Sequence, residues 1–111
     1  MGGSLSDVGE RDPAAVRARM VELARKFIAR TGEDVAQMRA ALDAGDIEQI
    51  RQLAHRACGT GGSLGLAALS DAAGELEQLV DSMPQGAAPG VAERERIAAG
   101  IDAIAALLVS P

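Results

Sequence analysis

The chain has 111 residues and a formal net charge of −5, a size that allows one hydrophobic core and argues against a two-domain enzyme. Apolar residues make up 48% but aromatics only 1%, Phe27 alone, so the core is aliphatic and the aromatic platforms that stack nucleobases are missing. The acidic balance likewise speaks against a nucleic-acid binder, whose footprint is basic, and favours a protein partner.

Abundant Ala, sparse Pro and the lack of period-2 apolar runs predict helix throughout. Residues 1–12, rich in Gly, Ser and Asp, show no apolar face and read as a flexible tail ahead of a helical domain over 13–111. Asp12-Pro13 supplies an N-cap and a first-turn proline, and Val16, Met20, Leu23 and Phe27 share a face of a first helix ending near Arg30. Thr31-Gly32-Glu33-Asp34 resembles a capping signal, and Val35, Met38 and Leu42 mark a short second helix stopped by Ala44-Gly45. Asp46, with Gln49 three residues on, opens a third helix whose stripe is Ile47, Ile50, Ala54, Ala57, Gly61 and Leu64. Leu66, Leu69, Ala73, Leu76 and Val80 trace a fourth, ended near Met83-Pro84. After a Gly-rich loop, Ile97, Ile101, Ile104 and Leu108 trace the last. The expected architecture is all-α: an antiparallel up-down four-helix bundle with an additional short helix as an elbow.

His55 is the only histidine. At about 100° per residue, with Ile47 at zero, the apolar stripe of its helix centres near about 300° and His55 falls near about 80°, off the core face. Gly59 and Gly62, at i+4 and i+7, share that side. A glycine inside a helix costs about 1 kcal/mol relative to Ala, so two of them beside an imidazole, in an alanine-rich chain, suggest a surface that another protein approaches closely. The plainer alternative is a loosened helix end.

The segment Leu53-Ala54-His55-Arg56-Ala57-Cys58-Gly59-Thr60-Gly61-Gly62-Ser63-Leu64-Gly65 resembles the signature of histidine-containing phosphotransfer (HPt) domains. In that family Ala-His precedes glycines four and ten residues on, here Gly59 and Gly65, and a later helix carries a Leu-Glu pair, here Leu76-Glu77. The likeness extends over roughly 15–108. It departs at one point: three residues after the His the family usually has Lys, and this chain has Cys58. On the wheel Arg51 lies near about 40° and Cys58 near about 20°, so Arg51 is a candidate to supply the missing positive charge through its guanidinium. A solvated Arg51 is the equal alternative. Gln52, near about 140°, is a candidate polar contact on the other side, and Arg56 points further away.

The resemblance implies that Nε2 of His55 accepts a phosphoryl group from an aspartyl phosphate of a response-regulator receiver domain, or of a hybrid histidine kinase, and passes it to another receiver. An exposed imidazole titrates near about 6.5, so no base is needed to activate it at neutral pH. Gly59, Gly62 and Cys58 would form the receiver-docking surface, with Arg51 and Gln52 stabilising phosphate. The domain would be a phosphocarrier without kinase activity: the glycine run over 59–65 lacks the Lys-Ser/Thr of a P-loop and follows no strand. The metal and acidic pocket belong to the receiver, so no cofactor and no metal are expected here.

A zinc site built on His55 and Cys58, with Glu48 or Asp71, falls short of a recognisable four-ligand pattern. Cys58 at the edge of the apolar face reads as a packed thiol, and Thr60 and Ser63 lack an activating motif. The main rival is a helical adaptor that docks a receiver or kinase through the His55 face without accepting phosphate; a generic bundle is the second. Arg11, Arg17, Arg19, Arg25, Lys26 and Arg30 spread around the first helix and read as a solvated surface. One cysteine and no secretory or membrane-spanning segment point to a cytoplasmic, monomeric domain.

Overall fold

The computed structural model describes residues 12–84, 86 and 88–109; the expected tail over 1–12, apart from Asp12, lies outside them, as do Arg11, Ser110 and Pro111. Four helices account for nearly all of these: α1 (Pro13–Ala44), α2 (Ile47–Ser63), α3 (Ala67–Asp81) and α4 (Val91–Val109). Each packs on the next, and α4 returns to pack on α1.

Local chemistry sets the boundaries. The Asp12 carboxylate accepts from the Ala14 N–H at 3.0 Å and Pro13 fills the first turn, where its missing N–H costs nothing. At the other end of α1, Gly45 takes φ 75°, a left-handed conformation open to glycine. It lets the N–H groups of Gly45 and Asp46 bond the carbonyls of Leu42 and Ala41 at 3.1 and 2.8 Å, satisfying carbonyls that a helix end otherwise leaves bare. Asp46 at once caps α2 by accepting from Gln49 N–H at 3.1 Å.

The separate short helix of the sequence reading does not form. Instead α1 runs unbroken for 32 residues through Thr31-Gly32-Glu33-Asp34. The Thr31 hydroxyl donates to the Phe27 carbonyl at 2.8 Å, a bond inside the helix, so it caps nothing. Asp34, the other capping candidate, is buried and paired with Arg56 at 2.9 Å. Burial of Phe27, Thr31, Val35 and Met38 on both sides of Gly32 offsets the intrinsic cost of one helical glycine, about 1 kcal/mol.

The core is aliphatic: Met38, Ile50, Leu76, Ile97, Ile101 and Ile104 are fully enclosed. Close approach of α2 and α3 depends on Gly61, where an added Cβ would stand 3.3 Å from the Ser70 backbone nitrogen. The first half of α1 departs from expectation. Val16, Met20 and Leu23, assigned by periodicity to the core face, are exposed at 43, 39 and 43%, and Phe27 is the first of the described residues that the core takes in. The helix simply extends beyond the elements that would have covered that face. Among the described residues, no helix is long and apolar enough to cross a membrane.

Candidate functional site

His55 stands midway along α2 with its side chain 72% exposed, because the core positions Ile50, Leu53, Ala54 and Ala57 turn that helix's apolar stripe inward and leave the imidazole on the opposite side. It has a partner on the neighbouring helix. Its Nδ1 lies 2.6 Å from Oε2 of Glu77 on α3, whose side chain is only 19% exposed. Glu77 sits there because its neighbour Leu76 is a core residue, and the next position, about 100° further round α3, meets the edge of α2. A carboxylate on Nδ1 selects the tautomer with the proton on that nitrogen, and Nε2 is left with an outward lone pair.

Arg51 and Gln52 lie one turn before the histidine and share one carboxylate. Arg51 binds Glu48 through both Nε, at 2.9 Å, and a terminal nitrogen, while Gln52 Nε2 donates to Glu48 Oε1 at 3.3 Å. The Arg51 hydrogen bond holds the Glu48 carboxyl below its ordinary value; burial opposes it, and the Gln52 bond and the guanidinium's charge add smaller downward effects. In return Glu48, first by hydrogen bond and then by charge, raises Arg51, and the charges of Asp81 and Glu77 across on α3 add to it. Arg51 is thus within electrostatic reach of the carboxylate that orients His55, and it is neutralised in the resting chain.

The other residues singled out by sequence divide. Gly59 opens on free space, with nothing within 4 Å of a Cβ built there. Gly62 is exposed on one side, but its Cβ direction meets Ser70 Oγ at 3.4 Å, so this glycine also serves the α2–α3 seam. Cys58 is half-buried in the same seam, 3.7 Å from Ser70 Oγ and close under Gly74; its thiol is turned toward α3 and gives little to an outward docking face. Ser63 and Thr60 gain no activating partner, Ser63 donating to the Gly59 carbonyl at 3.1 Å. Among the described residues there is no cluster of three or more metal-ligating side chains.

Two carboxylates of the site were missed as such from the sequence. Glu77 figured only as half of a Leu-Glu pair, and Glu48 only as a hypothetical metal ligand. The spacing from Glu48 to Arg51, i to i+3, was visible as a helical ion pair, whereas the Glu77 contact spans 22 residues and needs the α2–α3 register. A hollow of about 930 Å³ is bordered by Glu48 and Arg51 but not by His55. The imidazole stands on the surface, within reach of a protein partner.

An all-helical domain with one outward imidazole, held through Nδ1 on a glycine-bordered surface, has the features of a phosphotransfer module. The Hpt domain family matches residues 22–107, and the chain belongs to it. Hpt domains are phosphocarriers of two-component signalling. Neither the curated proteins nor the solved structures contain a match to the chain.

Proposed function

We propose that the chain is a phosphorelay intermediate in which Nε2 of His55 accepts a phosphoryl group from the aspartyl phosphate of a receiver domain and returns it to another receiver. The observation that supports this reading is the Nδ1 contact with Glu77 at 2.6 Å: in the neutral ring it puts the proton on Nδ1 and the lone pair on Nε2. In the forward step the Nε2 lone pair forms the N–P bond as the P–O bond to the partner's aspartate breaks, and the bonding electrons leave with that carboxylate. The ring becomes cationic while Nδ1 keeps its proton. The Glu77 carboxylate therefore faces a charge that develops during transfer, an interaction stronger in the transition state than in the ground state.

Arg51 and Gln52 are the proposed phosphate contacts. Both must exchange Glu48 for phosphoryl oxygens, a like-for-like trade of one anion for another. Gly59 is the proposed point of closest receiver approach, with Gly62 beside it, and Cys58 lies behind them. A bundle whose four helices run antiparallel, supported by the two short turns at 45–46 and 64–66 and by the ion pairs Arg56–Asp34 and Arg39–Asp102 that tie α2 and α4 to α1, would act as a rigid platform. In this reading the divalent ion and acidic pocket belong to the receiver, and the chain, a monomer of the cytoplasm, brings no cofactor or kinase activity of its own.

The test is transfer from a panel of phosphorylated receiver domains to the purified chain, scored for acid-labile, base-stable label with His55→Gln as control. Label lost in His55→Gln supports the proposal. Receiver binding without label in the wild-type chain would favour an adaptor that docks through the His55 face.

A further inference from the structure

The first half of α1 is exposed on every side, yet its surface is patterned. From Pro13 to Lys26 no side chain is buried, and the Hpt match begins only at residue 22, so the helix begins ahead of the family's module. Val16, Met20 and Leu23 form one apolar line on it. At about 100° per residue, Arg19, Lys26 and Arg30 fall within about 40° of one another, some 70° to one side of that line. The six basic residues that looked scattered by sequence thus contain a cationic edge of three. None of these three has a carboxylate partner among the ion pairs of the described residues.

That edge continues into the bundle. Lys26 and Arg30 line a shallow groove of about 610 Å³ together with Glu33, Asp34, Gln37 and Arg56, and Arg56 is the residue next to His55. Asp34 is already occupied by Arg56, which leaves Glu33 as the one uncommitted acid in the groove. Residues 13–30 carry five basic side chains against Glu22 alone, in a chain whose net charge is −5.

We infer that this edge and the apolar line beside it are a second docking element, which holds an acidic surface of the phosphoryl-exchanging protein and leads it along α1 toward His55. The identity of that partner rests on the reading of His55 given above; the surface itself does not. Charge selects the occupant. Two copies of this chain paired antiparallel through the apolar line would set Arg19, Lys26 and Arg30 against their own images. Paired parallel, the copies would set Arg19 near Arg17 and leave Lys26 and Arg30 facing Ala24 and Ile28, with no acid opposite. An anionic bilayer would attract the edge but repel the acidic remainder of the chain, and the apolar line has no aromatic side chain to anchor it.

The experiment compares the full chain with Arg19→Glu/Lys26→Glu/Arg30→Glu and with Leu23→Asp, all at exposed positions, after thermal melts show unchanged folding. Binding to each receiver domain is measured at about 50 and 300 mM salt, and phosphotransfer is followed in parallel. The expected result is affinity at least about tenfold weaker for the triple variant at low salt, mostly through slower association, and a much smaller difference at high salt. Leu23→Asp should weaken binding about fivefold at both. His55-dependent label with affinities unchanged in both variants would overturn the inference and leave the phosphocarrier reading intact. Salt-dependent binding lost in the variants without any label would do the reverse. No receiver binding at all, concentration-dependent dimerisation lost in Leu23→Asp, or binding to phosphatidylglycerol vesicles lost in the triple variant while receiver affinity stays unchanged would each overturn it.

Discussion

Removing the Glu77 carboxylate tests the orientation of the nucleophile. In Glu77→Ala the imidazole loses its Nδ1 partner at 2.6 Å, and both its tautomer and its ring rotation become free. A hydrogen bond involving a charged group contributes about 1.5–3 kcal/mol, against about 1 kcal/mol for a neutral one. With His55 72% exposed the lower end applies, about 1–1.5 kcal/mol, because water replaces part of what is lost. At 1.4 kcal/mol per factor of ten, the transfer rate to His55 falls about five- to tenfold. Glu77→Gln keeps an oxygen able to accept from Nδ1–H but not the negative charge, so it falls between wild type and Glu77→Ala. The bond is present before transfer as well, so stability should also fall, by no more than about 1 kcal/mol because His55 is mostly exposed. Single-turnover transfer from a phosphorylated receiver, quenched on the millisecond scale, reads the rate directly. An equal or faster rate in Glu77→Ala would refute the reasoning: it would mean that the carboxylate acts on the incoming phosphoryl group by repulsion more than on the ring by orientation.

Glu48→Gln releases Arg51 from its neutralising partner, and transfer to His55 should accelerate, while Arg51→Ala slows it more than Arg56→Ala does; quench-flow rates for the three variants check the order. Gly59→Ala places a methyl group in open space inside a helix, so it should raise stability by about 0.5–1 kcal/mol in urea unfolding. Gly59→Leu should weaken receiver binding by steric exclusion with the fold intact, measured by calorimetric titration. Arg56→Ala strands the buried Asp34 carboxylate. Because Arg56 is itself about half exposed, the expected cost is about 1–3 kcal/mol, below the range for fully buried pairs, and it appears as a lower urea midpoint.

Periodicity located the core-facing residues of α2, α3 and α4 because each of these helices has a single apolar stripe matched by a neighbour, as in Leu69, Ala73, Leu76 and Val80. It erred on α1 for two physical reasons. A capping pattern such as Thr31-Gly32-Glu33-Asp34 is local, and tertiary burial of Thr31 and Asp34 outweighs it. An apolar line such as Val16-Met20-Leu23 shows that a helix is amphipathic but not that anything in the same chain covers it. At the site, His55 and Gly59 were legible because both belong to one helix, where angle follows from spacing. Glu77 was not, since its approach to His55 depends on how α3 slides along α2. The commitment of Arg51 to Glu48 lay within reach of helical spacing, and the wheel reading passed over it by treating Arg51 alone.

The central claim is that Nε2 of His55, the nitrogen not held by Glu77, carries the phosphoryl group. The most direct measurement is a nitrogen–phosphorus correlated NMR spectrum of the chain, isotopically labelled in its single histidine and phosphorylated by a receiver. Phosphorus coupled to Nε2, with Nδ1 still protonated, is the predicted result. Coupling to Nδ1, or phosphate found on any residue other than His55, would contradict the account.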